Sequence, residues 1–177
     1  MLRAAVVIAL VGYESPTFVV VRRAAHLRRN PGEIAFPGGL VDEADAGAEA
    51  TALREFEEEL GTPRSRLHVI ERLDDVETLA LSVTVTPFVA TIEAPVTFEI
   101  DAREIASVHE VPVRELYVPG ALHRGTEPVE RSGHRFDVPT WLFDFGGLHI
   151  WGATARMLAL FLRRYPQLES VPRGTGS

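Results

Sequence analysis

The stretch GEIAFPGGLVDEADAGAEATALREFEEELG, residues 32–61, carries an apolar run, a proline, a glycine pair, an acidic loop and then four glutamates within five residues, Glu55, Glu57, Glu58 and Glu59. Asp45 is a candidate N-cap, and Gly61 followed by Pro63 stops a helix, so the segment predicts a helix over 46–60. At about 100° per residue with Leu53 at zero, Leu60 falls at about −20° and Phe56 at about −60°, an apolar stripe for a core. On the same wheel Glu55 falls at about 200°, Glu58 at about 140° and Glu59 at about 240°, while Glu57, at about 40°, lies outside that acidic face. Like charges this close repel, by roughly 1 kcal/mol for a pair about 4 Å apart in water and about 4 at an effective dielectric near 20. Arg54, one turn before Glu58, offsets part of this, and a hard divalent cation with oxygen ligands offsets far more. The "FPGG" just upstream adds a tight turn that lets backbone approach a ligand.

Working outward, "AAVVIALVG" and "TFVVVRR" read as strands joined by the turn "YESP", followed by the basic loop "AAHLRRNPGE" and a short strand ending at Pro37. Beyond the glutamates, "LHVIERLDDVETL" and "LSVTVTPFVATIEA" are strand-rich, and residues 82–89 alternate well. "DAREIASVHEVPVRELYVP" mixes a loop with a short helix or strand, "HRFDVPTWLFDFGGLHIWG" reads as a hairpin, and "ATARMLALFLRRYPQ" closes the chain as an amphipathic helix. This order predicts an α/β fold, a mixed sheet covered on both faces by helices. The 177 residues suit one domain over 1–168, with 169–177 as a disordered tail.

Composition is that of an ordinary globular chain, 46% hydrophobic and 24% charged. The net charge of −7 argues against a nucleic-acid partner but not against a small anion met by a local arginine cluster. All 18 basic residues are arginine, a mark of genomic composition. There is no cysteine, which excludes disulfides, thiolate metal sites and cysteine nucleophiles and suits the cytoplasm. The apolar N-terminal run is too short to span a membrane and reads as a buried strand. The sequence leaves oligomeric state open.

The combination "GGLVDEADAGAEATALREFEEELG" resembles the Nudix box, G-x5-E-x7-R-E-U-x-E-E-x-G-U. The resemblance implies a Nudix-type α/β/α sandwich and Mg²⁺- or Mn²⁺-dependent cleavage of a nucleoside diphosphate linked to another moiety. By resemblance, Glu58 and Glu59 are metal ligands, and Glu55 is a ligand or the general base. Arg54 orients the carboxylates, the Gly38 carbonyl is a further ligand and Gly39 shapes the loop. Counted back from Arg54, the box's first glycine falls on Leu40 and its first glutamate on Ala46. The loop is therefore one residue long, and Gly39 and Asp45 become the stand-ins. Asp45 then either partners Arg54 or only caps the helix. Thr62 replaces the usual final apolar residue.

Upstream, "VVVRRAAHLRRNPGEIAFPGG" resembles the signature of the coenzyme A diphosphatases of that family, with matches at Arg23, Ala24, Leu27, Arg28, Gly32 and residues 36–39. Asn30 stands where histidine is usual, and Val21 where threonine is usual. This implies coenzyme A or a derivative as substrate, with Arg23 and Arg28 on its phosphates, since arginine grips phosphate bidentately. Arg22 and Arg29 read as surface residues. Glu104 is a candidate later carboxylate for the metal cluster, or a base. The histidines at 68, 109, 123, 134 and 149 show no ligand spacing.

Overall fold

The computed structural model describes residues 2–78, 83–131 and 133–170. Ser82 and the tail beyond residue 170 lie outside these. The alternation expected over 82–89 is not found in the rest of that stretch, which belongs to a strand, Val83–Ile92, buried almost throughout because both its faces are covered. Glu169 and Ser170 belong to a 3-10 turn, Pro166–Ser170.

The chain runs through β1 (Leu2–Val11), β2 (Thr17–Arg23), β3 (Ile34–Ala35), β4 (Gly38–Leu40), α1 (Ala48–Leu60), β5 (His68–Arg72), β6 (Val76–Glu77), β7 (Val83–Ile92), β8 (Ile105–Pro112), β9 (Leu122–Arg131), β10 (His134–Phe145), β11 (Leu148–Trp151) and α2 (Gly152–Arg164). The first eight strands form one mixed sheet with β3-β2-β1-β7-β5 as its spine; β4 pairs with β1, β6 with β7 and β8 with β2. β1 lies parallel to β7, from Leu2 opposite Val83 to Val11 opposite Ile92, and antiparallel to β2 and β4. β9, β10 and β11 form a second, antiparallel sheet.

The alternation within β1 shows the layering. Ala5, Val7, Ala9 and Val11 join Ala52, Phe56 and Leu60 of α1 in one core, while Ala4, Val6, Ile8 and Leu10 join Met157, Leu158 and Phe161 of α2 in another. The near-continuous apolar run of β1 is what a strand covered on both faces requires. The architecture is the expected mixed α/β sandwich. The sequence reading did not assign β9, so the expected β10–β11 hairpin proves to be part of a three-stranded sheet. β9 carries Arg, Glu, Thr, Gly and Pro throughout, too polar for a strand signal.

α1 ends where expected. Gly61 adopts φ 66°, and its N–H donates to the Glu57 carbonyl at 2.9 Å. A Cβ there would also lie 2.8 Å from that of Glu99. Gly61→Ala is therefore expected to cost roughly 2 kcal/mol, lowering Tm by roughly 4–8 °C in a thermal melt.

Candidate active site

The face α1 turns to the sheet is set by Ala52, Phe56 and Leu60, all fully buried. Its centre lies near Phe56, about 30° from the centre of the Leu53–Leu60–Phe56 stripe expected from sequence, and Leu53 sits at the rim. The three glutamates therefore differ in depth. Glu59, about 60° from that centre, is only 3% exposed. Glu55 is half-way out, its side chain 17% exposed, and Glu58 points to solvent at 59%. Glu57 lies outside the group and pairs with Arg64 at 3.3 Å.

Glu59 accepts a hydrogen bond from the Gly38 N–H at 3.1 Å, so α1 is fastened to β4 through a carboxylate. Burial pushes its pKa up to about 8, opposed by that N–H and by the charge of Arg23, and reinforced by Glu55 and Glu104. Burial also raises Glu55, against the pull of Arg54. The Glu55 carboxylate occupies the space a side chain at Gly39 would need: an added Cβ would lie 2.5 Å from Oε1.

Arg54 is the hub. Its Nη1 meets Glu55 at 2.9 Å and Glu58 at 3.0 Å. Its Nε and Nη2 grip Asp45 at 3.1 and 3.0 Å. The helix starts at Ala48 with Gly47 as N-cap, so Asp45 is no helix cap. It is the partner of Arg54, and also accepts from Thr51 Oγ1 at 2.7 Å. Those two bonds, Arg54's first, hold Asp45 down to about 2.

Glu104 arrives from the far side. Glu99 N donates to Leu60 O and Asp101 N to Glu59 O, at 2.8 and 2.9 Å, so this segment closes the open end of α1. Ala24 N then donates to Glu104 O at 2.8 Å, tying Glu104 to the end of β2. From there its charge raises both Glu55 and Glu59.

The arginine loop divides. Arg23, at the end of β2, acts electrostatically on both Glu59 and Glu33, and its Nε is buried without a hydrogen-bond partner among the described residues. Arg28 is exposed in the loop whereas Arg23 is half-buried at the strand end, so the expected pair of phosphate-binding arginines differs in exposure. Arg22 donates to Gly32 O at 3.1 Å, a structural contact, and Arg29 is exposed. Asn30 adopts φ 50°, a left-handed conformation that asparagine tolerates, which gives it a structural reason where histidine is usual. Glu33 belongs to none of the motif positions read as functional. Burial raises its pKa, and only its place before a buried strand hints at this in the sequence.

The donor set suits a hard cation: Glu59 is a buried carboxylate with a single backbone donor, and Glu55 and Glu104 crowd it with like charge. Among the described residues no three such side chains already form a ligand group. Arg54 holds Glu55 and Glu58 instead, and Gly38 meets the cluster through its N–H.

The NUDIX domain model matches residues 1–132. An uncharacterized Nudix hydrolase NudL from Enterobacter sp. (strain 638) is 36% identical over 167 residues, covering 93% of this chain and 84% of that one. Its counterpart from Yersinia pestis (strain Pestoides F) is 35% identical over 156 residues, covering 88% and 76%. Among solved structures, a MutT/nudix family protein from Enterococcus faecalis superimposes with TM-score 0.62 at 16% identity, covering 96% of this chain and 64% of that one. A C. elegans Ap4A hydrolase gives 0.53 at 19%, covering 64% and 81%. The NUDIX domain of Shewanella oneidensis NrtR, in complex with ADP ribose, gives 0.50 at 17%, covering 66% and 76%. Among the described residues no helix is long and apolar enough to cross a membrane. With most of its length matched by the domain model, and with relatives 36% and 35% identical along nearly the whole chain, this protein belongs to the Nudix hydrolase family.

Proposed function

We propose that this chain hydrolyses the diphosphate of coenzyme A and its derivatives, releasing 3′-phospho-AMP and 4′-phosphopantetheine. The observation that carries the proposal is the placement of Arg23, which the coenzyme A signature singles out, beside the buried Glu59 of the Nudix helix. Glu55, Glu58 and Glu59, with the Gly38 carbonyl, would hold Mg²⁺ or Mn²⁺. When bound, the cation supplies the positive charge that draws a diphosphate in among carboxylates and offsets charge developing on it.

The chain's own groups do the rest. Arg54, anchored on Asp45, fixes the directions of Glu55 and Glu58. Gly39 leaves room for the Glu55 carboxylate. Glu55 or Glu104 accepts the proton of the water that attacks phosphorus as the P–O bond of the diphosphate breaks. Arg23 pairs with a phosphate oxygen, satisfying a donor that is otherwise orphaned. Arg28, from the exposed loop, meets the 3′-phosphate. No membrane or nucleic-acid partner enters this reading, and the expected compartment is the cytoplasm.

A second reading keeps the reaction and changes the substrate to ADP-ribose or a dinucleoside polyphosphate. The exposed position of Arg28 favours it, as do structural relatives solved with ADP ribose or named Ap4A hydrolases. Product analysis after incubation with coenzyme A or ADP-ribose, in Mg²⁺ and in Mn²⁺, separates the two. Faster formation of 3′-phospho-AMP and phosphopantetheine supports the first reading. Cleavage of ADP-ribose alone overturns it in favour of the second.

A further inference from the structure

His149 lies on β11 directly opposite Asp144 of β10, while Glu127 of β9 lies opposite Val138. The two positions on β10 are six residues apart, about 20 Å along a flat strand. Yet the His149 imidazole meets both acids, Nδ1 at 2.6 Å from Asp144 Oδ1 and Nε2 at 2.9 Å from Glu127 Oε2. The β9–β10 arm must therefore curl back on itself.

Gly125 leaves room inside the arm. It sits opposite Thr140, and a Cβ there would lie 2.5 Å from Leu142 Cδ1, so the leucine lies diagonally over the glycine where a side chain is missing. The imidazole donates to both acids only when protonated, and both bonds, Asp144's first, raise its pKa.

The curl brings Glu127 close enough to Glu33 to oppose its ionisation. Glu33 in turn stands beside Arg23, which reaches Glu59. β11 also packs against β3, which follows Glu33. The arm thus meets the arginine loop at the edge of the carboxylate cluster.

We propose that the β9–β10 arm, tied down by the Glu127–His149–Asp144 contacts, flanks the substrate beyond Arg23, with Glu127 and His149 as positioning residues for the neutral half of a diphosphate substrate. This rests on the diphosphatase reading above. Two neighbouring carboxylates, Glu33 and Glu127, are relieved by a group rich in N–H or O–H donors and repelled by a further phosphate. The arm therefore suits the amide-bearing or sugar-like part of the substrate.

The test uses the full chain with coenzyme A and ADP-ribose as probes, and the variants Glu127→Ala and Glu127→Gln. For whichever probe the wild type cleaves, Glu127→Ala is expected to raise KM about 5- to 20-fold with kcat within about 2-fold. Glu127→Gln, which keeps an acceptor for the imidazole, should fall between. The His149 pKa, followed by NMR, should drop in Glu127→Ala. An unchanged KM in a variant whose His149 pKa has dropped overturns the proposal, and so does an unchanged His149 pKa. A wild type that cleaves neither probe overturns the diphosphatase reading and this inference with it, a result visible before any variant is made.

Discussion

Glu59→Gln is expected to lower kcat on the diphosphate substrate by about 10³-fold or more, because a cation at a phosphoryl oxygen contributes several kcal/mol and Glu59 is the deepest carboxylate that can hold it. The same change should stabilise the protein in EDTA. Glutamine keeps an oxygen for the Gly38 N–H and is neutral in the buried site without having to take up a proton. The pH dependence follows. The folded-state pKa of Glu59, about 8, lies above its ordinary value of 4.5, so between these the native state binds the proton more than the unfolded chain does. Stability is then fully present below about pH 4.5 and is lost as pH rises through 8. The upper bound is about 5 kcal/mol, from 3.5 pH units at 1.36 kcal/mol each. Thermal melts of the metal-free wild type should show Tm falling from pH 5 to 8, with a shallower fall in Glu59→Gln. Equal slopes, or a variant with near wild-type turnover in saturating Mg²⁺, would remove Glu59 from the role given to it.

That prediction depends on depth, which the sequence conveyed only in part. Residue order alone located α1, its Gly61 stop and the set of glutamates, because helical period and cap chemistry are local. It misplaced the centre of the buried face. Leu53 is the more apolar residue, yet Ala52 is the one pressed against β1, since a small side chain lets the helix approach the sheet. Rotating the face by about 30° brings Glu59 to within about 60° of its centre, at the sheet, and leaves Glu58 outside. Asp45 shows the same limit. Spacing left it between two roles, and only the path of the 41–47 loop settles it on Arg54. Arg23 and Arg28 occupy equivalent positions in a motif, but one ends a strand and the other lies in an exposed loop. Glu33 and His149 gave little signal, because each meets Glu127 from a distant segment of the chain.

Gly39→Ala is expected to spare the fold and cost about 10²-fold in kcat, whereas Gly38→Ala is expected to damage the fold itself. The neighbouring glycines differ in what surrounds them. Gly38 adopts φ 153°, and a Cβ there would strike the backbone of β1, with Val6 Cα only 2.6 Å away. Backbone in the central strand cannot move aside without disturbing both cores, so soluble yield or Tm should fall sharply. Gly39 has no such conformational demand. The nearest atoms its added methyl would meet belong to the Glu55 carboxylate, with Oε1 at 2.5 Å and Oε2 at 2.7 Å, the far end of a flexible side chain. That carboxylate can swing away at little cost in stability, but it then leaves the position in which Arg54 holds it. A displacement of about 1 Å in a reacting group costs on the order of 10²-fold. The pair can be read by melting and turnover together. A Gly39→Ala protein with wild-type Tm and wild-type kcat would show that the position of Glu55 does not matter to the reaction. One that is inactive because it fails to fold would place Gly39 with Gly38 as a structural glycine.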